Sequence, residues 1–210
     1  MRKTFPVFLF VAAVAVNAAA QSGRRNVIQH APPPPAPVIQ ESPVSEPEFG
    51  PAPSAALGAL SDRVLKHQIK ALDKGTFSLA DFGGKVIVVN LWATWCGPCR
   101  REIPEYEKVR KEFAARNVEF IGLTTEDPRT SSDRVQRFVR DFNFGFRVGW
   151  ADRETVLALQ NGRGVIPQTL VIAPDGRVLN HWDGYSANQS GIRLRKAIER
   201  ALSEGSQEGQ

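Results

Sequence analysis

The chain has 210 residues, a formal net charge of +5, and 42% hydrophobic and 9% aromatic residues, enough for one well-packed domain with tails. A mean hydropathy of −0.26 with 23% charged residues argues against a polytopic membrane protein and against a wholly disordered chain. Two cysteines, Cys96 and Cys99, supply neither a multi-bridge scaffold nor the four ligands of a structural zinc site.

Residues 1–20 carry a basic start at Arg2 and Lys3, an apolar run from Phe5 to Val16 and a small-residue end at Ala18, Ala19 and Ala20. That is the pattern of a secretory signal peptide, and cleavage after Ala20 is favoured over an uncleaved anchor because the apolar run is too short to span a bilayer. The expected destination is the periplasm, with inner-membrane anchoring as the other possibility. Setting Arg2 and Lys3 aside leaves 25 basic against 22 acidic residues, a solvated surface and not a nucleic-acid footprint. Residues 21–58 form an expected linker. Nine of the fifteen prolines fall between Ala31 and Pro53, which predicts an extended spacer reaching about 70 Å.

The patterned domain is expected over 59–204, with 205–210 a flexible tail. Val86 to Trp92 is a nearly continuous apolar, β-branched run, as in a central strand buried on both faces. Ile103, Tyr106, Val109 and Phe113 recur at helical spacing up to about Arg116, and a strand at Val118 to Leu123 follows. The next helix carries Val135, Phe138, Val139 and Phe142 on one face, with Thr130, Ser131 and Ser132 as capping candidates. Phe146 to Trp150 reads as a strand, and Asp152 caps a short helix through Gln160. Thr169 to Ala173 and Val178 to Trp182 flank Pro174-Asp175-Gly176-Arg177, which predicts a hairpin. Leu194, Ala197, Ile198 and Ala201 mark a closing helix. Alternating strands and helices predict an α/β fold with a mixed central sheet, parallel at first and antiparallel at the final hairpin.

Trp95-Cys96-Gly97-Pro98-Cys99 stands where the first of these strands ends and the long helix begins. Residues three apart in the first turn share a face, so the sulfurs come within bonding distance. The helix dipole and free N–H groups favour the thiolate of Cys96, and the missing N–H of Pro98 suits the first turn. Cys96 is therefore expected to be the exposed nucleophile and Cys99 the resolving thiol. Redox chemistry is favoured over metal binding and over a static bridge, which would close only a tiny loop.

The run Val88 to Pro104 resembles the active-site segment of the thioredoxin superfamily, and is most similar to its TlpA/ResA-like extracytoplasmic thiol-disulfide oxidoreductases. Val165-Ile166-Pro167-Gln168-Thr169 resembles the same family's second signature. The resemblance covers roughly residues 75 to 185. It implies a thioredoxin-like fold, a cis-proline at Pro167 beside the disulfide, and Ile166 offering backbone to a substrate chain, with Trp95, Gly97 and Pro98 shaping the binding surface. Asn90 stands where thioredoxin has a buried aspartate and cannot accept a proton, so Glu102 is the candidate to manage the proton of Cys99. Pro104 is expected to kink the helix. Trp92 is assigned to packing; His30, His67 and His181 are assigned neither metal nor acid-base work, and Glu126 and Asp127 are read as a solvated loop pair, with lining of the site edge as the alternative.

The expected function is periplasmic protein-disulfide reduction, serving cytochrome c maturation or another exported thiol protein. It needs no metal or organic cofactor beyond the redox-active Cys96–Cys99 pair. The implied partners are protein thiols and disulfides and a membrane thiol electron donor, with the protein itself a monomer. A dithiol oxidase or isomerase, a copper metallochaperone using the same thiols, and a redox-inert module on the tether are the alternatives.

Overall fold

The computed structural model describes residues 58–207. The expected signal peptide and the linker up to residue 57 lie outside the described residues, as do 208–210.

The strand read first in the sequence, β3 (Val86–Trp92), is buried along its whole length. Its side chains alternate between two cores. Val86, Val88 and Trp92 pack with Ile103, Tyr106, Val135, Phe138 and Leu194, whereas Ile87, Val89 and Leu91 pack with Ile69, Phe77, Leu79 and Leu159. The first set covers β3 with α2 (Gly97–Glu112), α3 (Pro128–Asp141) and α5 (Ser190–Gln207). The second covers its other face with α4 (Arg153–Gln160) and a 3₁₀ turn at Leu79–Phe82. A strand with helices on both sides has no polar face, which is why its sequence shows no alternation.

The other strands are β1 (Ile69–Ala71), β2 (Thr76–Phe77), β4 (Val118–Thr124), β5 (Arg147–Trp150), β6 (Gln168–Ile172) and β7 (Val178–Asp183). With β3 they form one seven-stranded sheet in the order β2-β1-β5-β4-β3-β6-β7. β3, β4 and β5 are parallel, and β6 runs antiparallel to β3, with Asn90 opposite Thr169 and Leu91 opposite Gln168. The start of β6 therefore lies beside the end of β3. That register brings the Pro167 loop to the cysteines. The β6–β7 hairpin is antiparallel, as its turn residues imply.

Four details depart from the sequence reading. The short helix α1 (Asp62–Leu65), β1, β2 and the 3₁₀ turn were not anticipated. The cap of α3 is Asp127, whose carboxylate accepts from the Arg129 N–H at 2.8 Å, with Pro128 at the first helical position. The hydroxyls of Thr130, Ser131 and Ser132 lie inside that helix. α2 ends at Glu112, short of Arg116, and it runs on through Pro104. α5 continues past Glu204 to Gln207; a Cβ at Gly205 would stand 2.9 Å from the ring of Pro174, so the hairpin turn lies against this last stretch.

Candidate active site

Cys96 and Cys99 are joined as a disulfide, their Cα atoms 5.3 Å apart, at the N-terminus of α2. Cys96 is the cap: its Sγ accepts the Cys99 N–H at 3.2 Å, and its own N–H reaches the Ala93 carbonyl at 3.2 Å. The Cys99 N–H and the helix dipole would favour a thiolate at Cys96 after reduction. The Ile166–Pro167 peptide is cis, and the Ile166 carbonyl oxygen lies 3.8 Å from Cys96 Sγ. With that loop against it Cys96 is only 4% exposed, which corrects the expectation of an open sulfur, and Cys99 is fully buried. The motif instead exposes Trp95, at 69%, and Pro98.

Two polar groups fix the Pro167 loop from behind. The buried Gln168 side chain donates to the Val165 carbonyl at 2.7 Å and meets the His181 ring at 2.9 Å. Burial, with Arg163 nearby, lowers the pKa of His181 and so favours the neutral ring. The Pro167 carbonyl accepts the Gly184 N–H at 2.9 Å.

One turn into α2 from Cys99, Glu102 is fully buried. Asn90 Nδ2 donates to its Oε2 at 2.8 Å, while Glu102 Oε1 and Asn90 Oδ1 have no hydrogen-bond partner among the described residues. Asn90 also reaches Thr169 Oγ1 at 3.2 Å, which meets the Tyr106 hydroxyl at 3.1 Å; Trp182 Nε1 donates to that hydroxyl at 3.2 Å. Burial pushes the Glu102 carboxyl up to about 7, with the Asn90 donation opposing it. A carboxyl so placed can hold or release a proton at neutral pH. Asn90, read as unable to accept a proton, is here the donor that orients one which can.

The loop between β3 and α2 is clamped by side chains. Glu126 is buried, accepting the Thr94 N–H at 2.6 Å and its hydroxyl at 3.0 Å. Arg134 pairs with Glu126 at 2.6 Å and donates to Ser131 Oγ at 2.8 Å. Arg100 Nη1 donates to the Thr94 carbonyl at 3.4 Å. Glu126 is thus a structural ligand of the active-site loop and not a solvated loop residue. No local pattern signals it, since its partners lie 32 residues before it and 8 after. Gly97 and Pro98 form the first turn of α2. His67 lies elsewhere, 2.8 Å from Asp152 at the start of α4, and His30 is outside the described residues.

The sequence pattern of the AhpC/TSA family matches residues 60–181. The chain is 29% identical over 120 residues to the thiol-disulfide oxidoreductase ResA of Oceanobacillus iheyensis, covering 57% of this chain and 60% of that protein. It is 26% identical over 134 residues to ResA of Halalkalibacterium halodurans, covering 64% and 74%. Among solved structures, a thiol:disulfide interchange protein of the thioredoxin family from Chlorobium tepidum superposes with a TM-score of 0.57 at 28% identity, covering 65% of this chain and 92% of that one. The fold is thioredoxin-like.

Proposed function

The chain belongs to the AhpC/TSA family, and from that premise we propose that it is a protein-disulfide reductase working outside the cytoplasm, in the periplasm. The observation that carries the reading is the disulfide at the N-terminus of α2, set against the cis Ile166–Pro167 loop with Glu102 buried behind it. The similarity to ResA proteins supports the same chemistry. The signal-like residues 1–20 support the location.

In the reduced protein Cys96 is the thiolate and Cys99 the thiol. Cys96 Sγ attacks one sulfur of a substrate disulfide; that bond breaks, the other substrate sulfur leaves as a thiolate, and a mixed disulfide forms. Glu102 then takes the Cys99 proton. The Cys99 thiolate attacks Cys96 Sγ, re-forms the Cys96–Cys99 bond and releases the second substrate sulfur. Two electrons have passed from the dithiol to the substrate, and the proton on Glu102 returns to solvent. Trp95, Gly97, Pro98, Ile166 and Pro167 form the surface on which the substrate chain lies. A membrane thiol donor returns the two electrons, and the substrates are exported thiol proteins such as apocytochrome c. No metal or organic cofactor takes part, and the protein works as a monomer.

Replacing Cys99 by Ser tests this. The variant expressed in its host should remain covalently joined through Cys96 to substrate proteins, seen as adducts that a reductant dissolves and mass spectrometry names. Cells that yield no adduct, alongside purified wild-type protein that reduces no protein disulfide, would overturn the reading.

A further inference from the structure

The mechanism above leaves one feature beside the disulfide unused, a cleft of about 270 Å³ between the active-site loop and α3. Thr94, Trp95, Phe138 and Phe142 line it, and Arg100, Arg134 and Arg137 supply its charge against a single carboxylate, Asp141. The three guanidiniums are not equivalent. Arg134 is already spent on Glu126. Arg100 is held in place, its guanidinium 5.4 Å from the Phe138 ring centroid and 5.0 Å from that of Phe142, with Thr94 O as acceptor. Neither Arg100 nor Arg137 has an ion-pair partner among the described residues, although Asp141 stands one turn from Arg137 on the same helix. A pre-positioned cation with no anion, flanked by an exposed indole, is built to receive a carboxylate from outside.

Position decides whose carboxylate. Trp95 belongs both to this cleft and to the motif, and Cys96 follows it directly. A chain whose sulfur is bonded to Cys96 Sγ would therefore have the residues next to its cysteine within reach of the cleft. We infer that this cleft is a specificity subsite selecting substrate disulfides flanked by Asp or Glu. The inference rests on the oxidoreductase reading and deepens it by naming a substrate class.

Two synthetic peptides test it, each closed by the same intramolecular disulfide and differing only in two Asp or two Lys residues beside one cysteine. Fully reduced wild-type protein should reduce the Asp peptide about tenfold faster than the Lys peptide at low salt, the scale of electrostatic steering, with the advantage shrinking as salt is added. Arg137→Glu, on an exposed position of α3, should collapse that ratio at least fivefold, and Arg100→Ala should lower it in the same direction. Reduction of both peptides at equal rates, or a ratio that ignores Arg137→Glu, overturns the inference and leaves the oxidoreductase reading standing. Reduction of neither peptide by wild-type protein overturns the reading itself, and the inference with it.

Discussion

Glu102 ties the stability of the fold to pH. An unfolded glutamate titrates near 4.5, whereas in the fold this carboxyl is raised to about 7. Between those values the native state holds the extra proton, so stability is fullest below the lower pH and falls as pH rises through the upper one. The loss is about 3 kcal/mol from the size of the shift. Glu102→Gln should remove this slope, leaving the oxidised variant more stable than wild type at pH 8 and little changed at pH 4.5, as read by urea unfolding. The same variant should release substrate from the mixed disulfide about a hundredfold more slowly at pH 7, the usual scale for a lost proton-transfer group. Equal pH slopes for both proteins would contradict the assignment. Glu126 acts differently, through Thr94. Glu126→Ala strands the Thr94 N–H and should cost about 2 to 4 kcal/mol in unfolding free energy, with Glu126→Gln milder because it keeps an acceptor; a loss below about 0.5 kcal/mol, within the range of ordinary surface changes, would refute the clamp.

At the level of elements, what the sequence made legible follows how local each signal is. β3 was readable because seven consecutive buried residues need no partner to be recognised. The cap of α4 was readable because Asp152 directly precedes the helix and accepts from the Thr155 N–H at 2.8 Å. Asp152→Ala should therefore cost about 1 kcal/mol in thermal or urea unfolding, with Asn substituting well. The cap of α3 was misplaced because three hydroxyls competed with Asp127, and the fixed φ of Pro128 decides in favour of the earlier start. β1 and β2 escaped notice because three and two residues cannot display a period. β1 exists through pairing with β5, where Lys70 faces Trp150, and β2 through pairing with β1, where Phe77 faces Ile69. Close packing adds constraints invisible in a pattern: a Cβ on Gly122 of β4 would stand 2.8 Å from Phe144 and 3.1 Å from the Trp92 indole.

On the scale of the whole molecule, the sheet register joins three segments far apart in the chain into one site. The turn from β3 into α2 supplies the cysteines, the loop leading into β6 supplies Pro167, and the loop after β4 supplies Glu126. The dithiol was readable from its motif, whereas the proline loop and Glu102 were reached through family likeness. Asn90 as the partner of Glu102, the Thr94 clamp and the arginine cleft were not, because each depends on side chains meeting across that sheet. The central claim, that the Cys96–Cys99 pair gives electrons to its substrates, is tested most directly by its reduction potential, measured by equilibration with glutathione buffers. An electron-giving pair should come out nearer to thioredoxin, at about −270 mV; a potential near that of a strong dithiol oxidant, about −120 mV, would reverse the direction of electron flow.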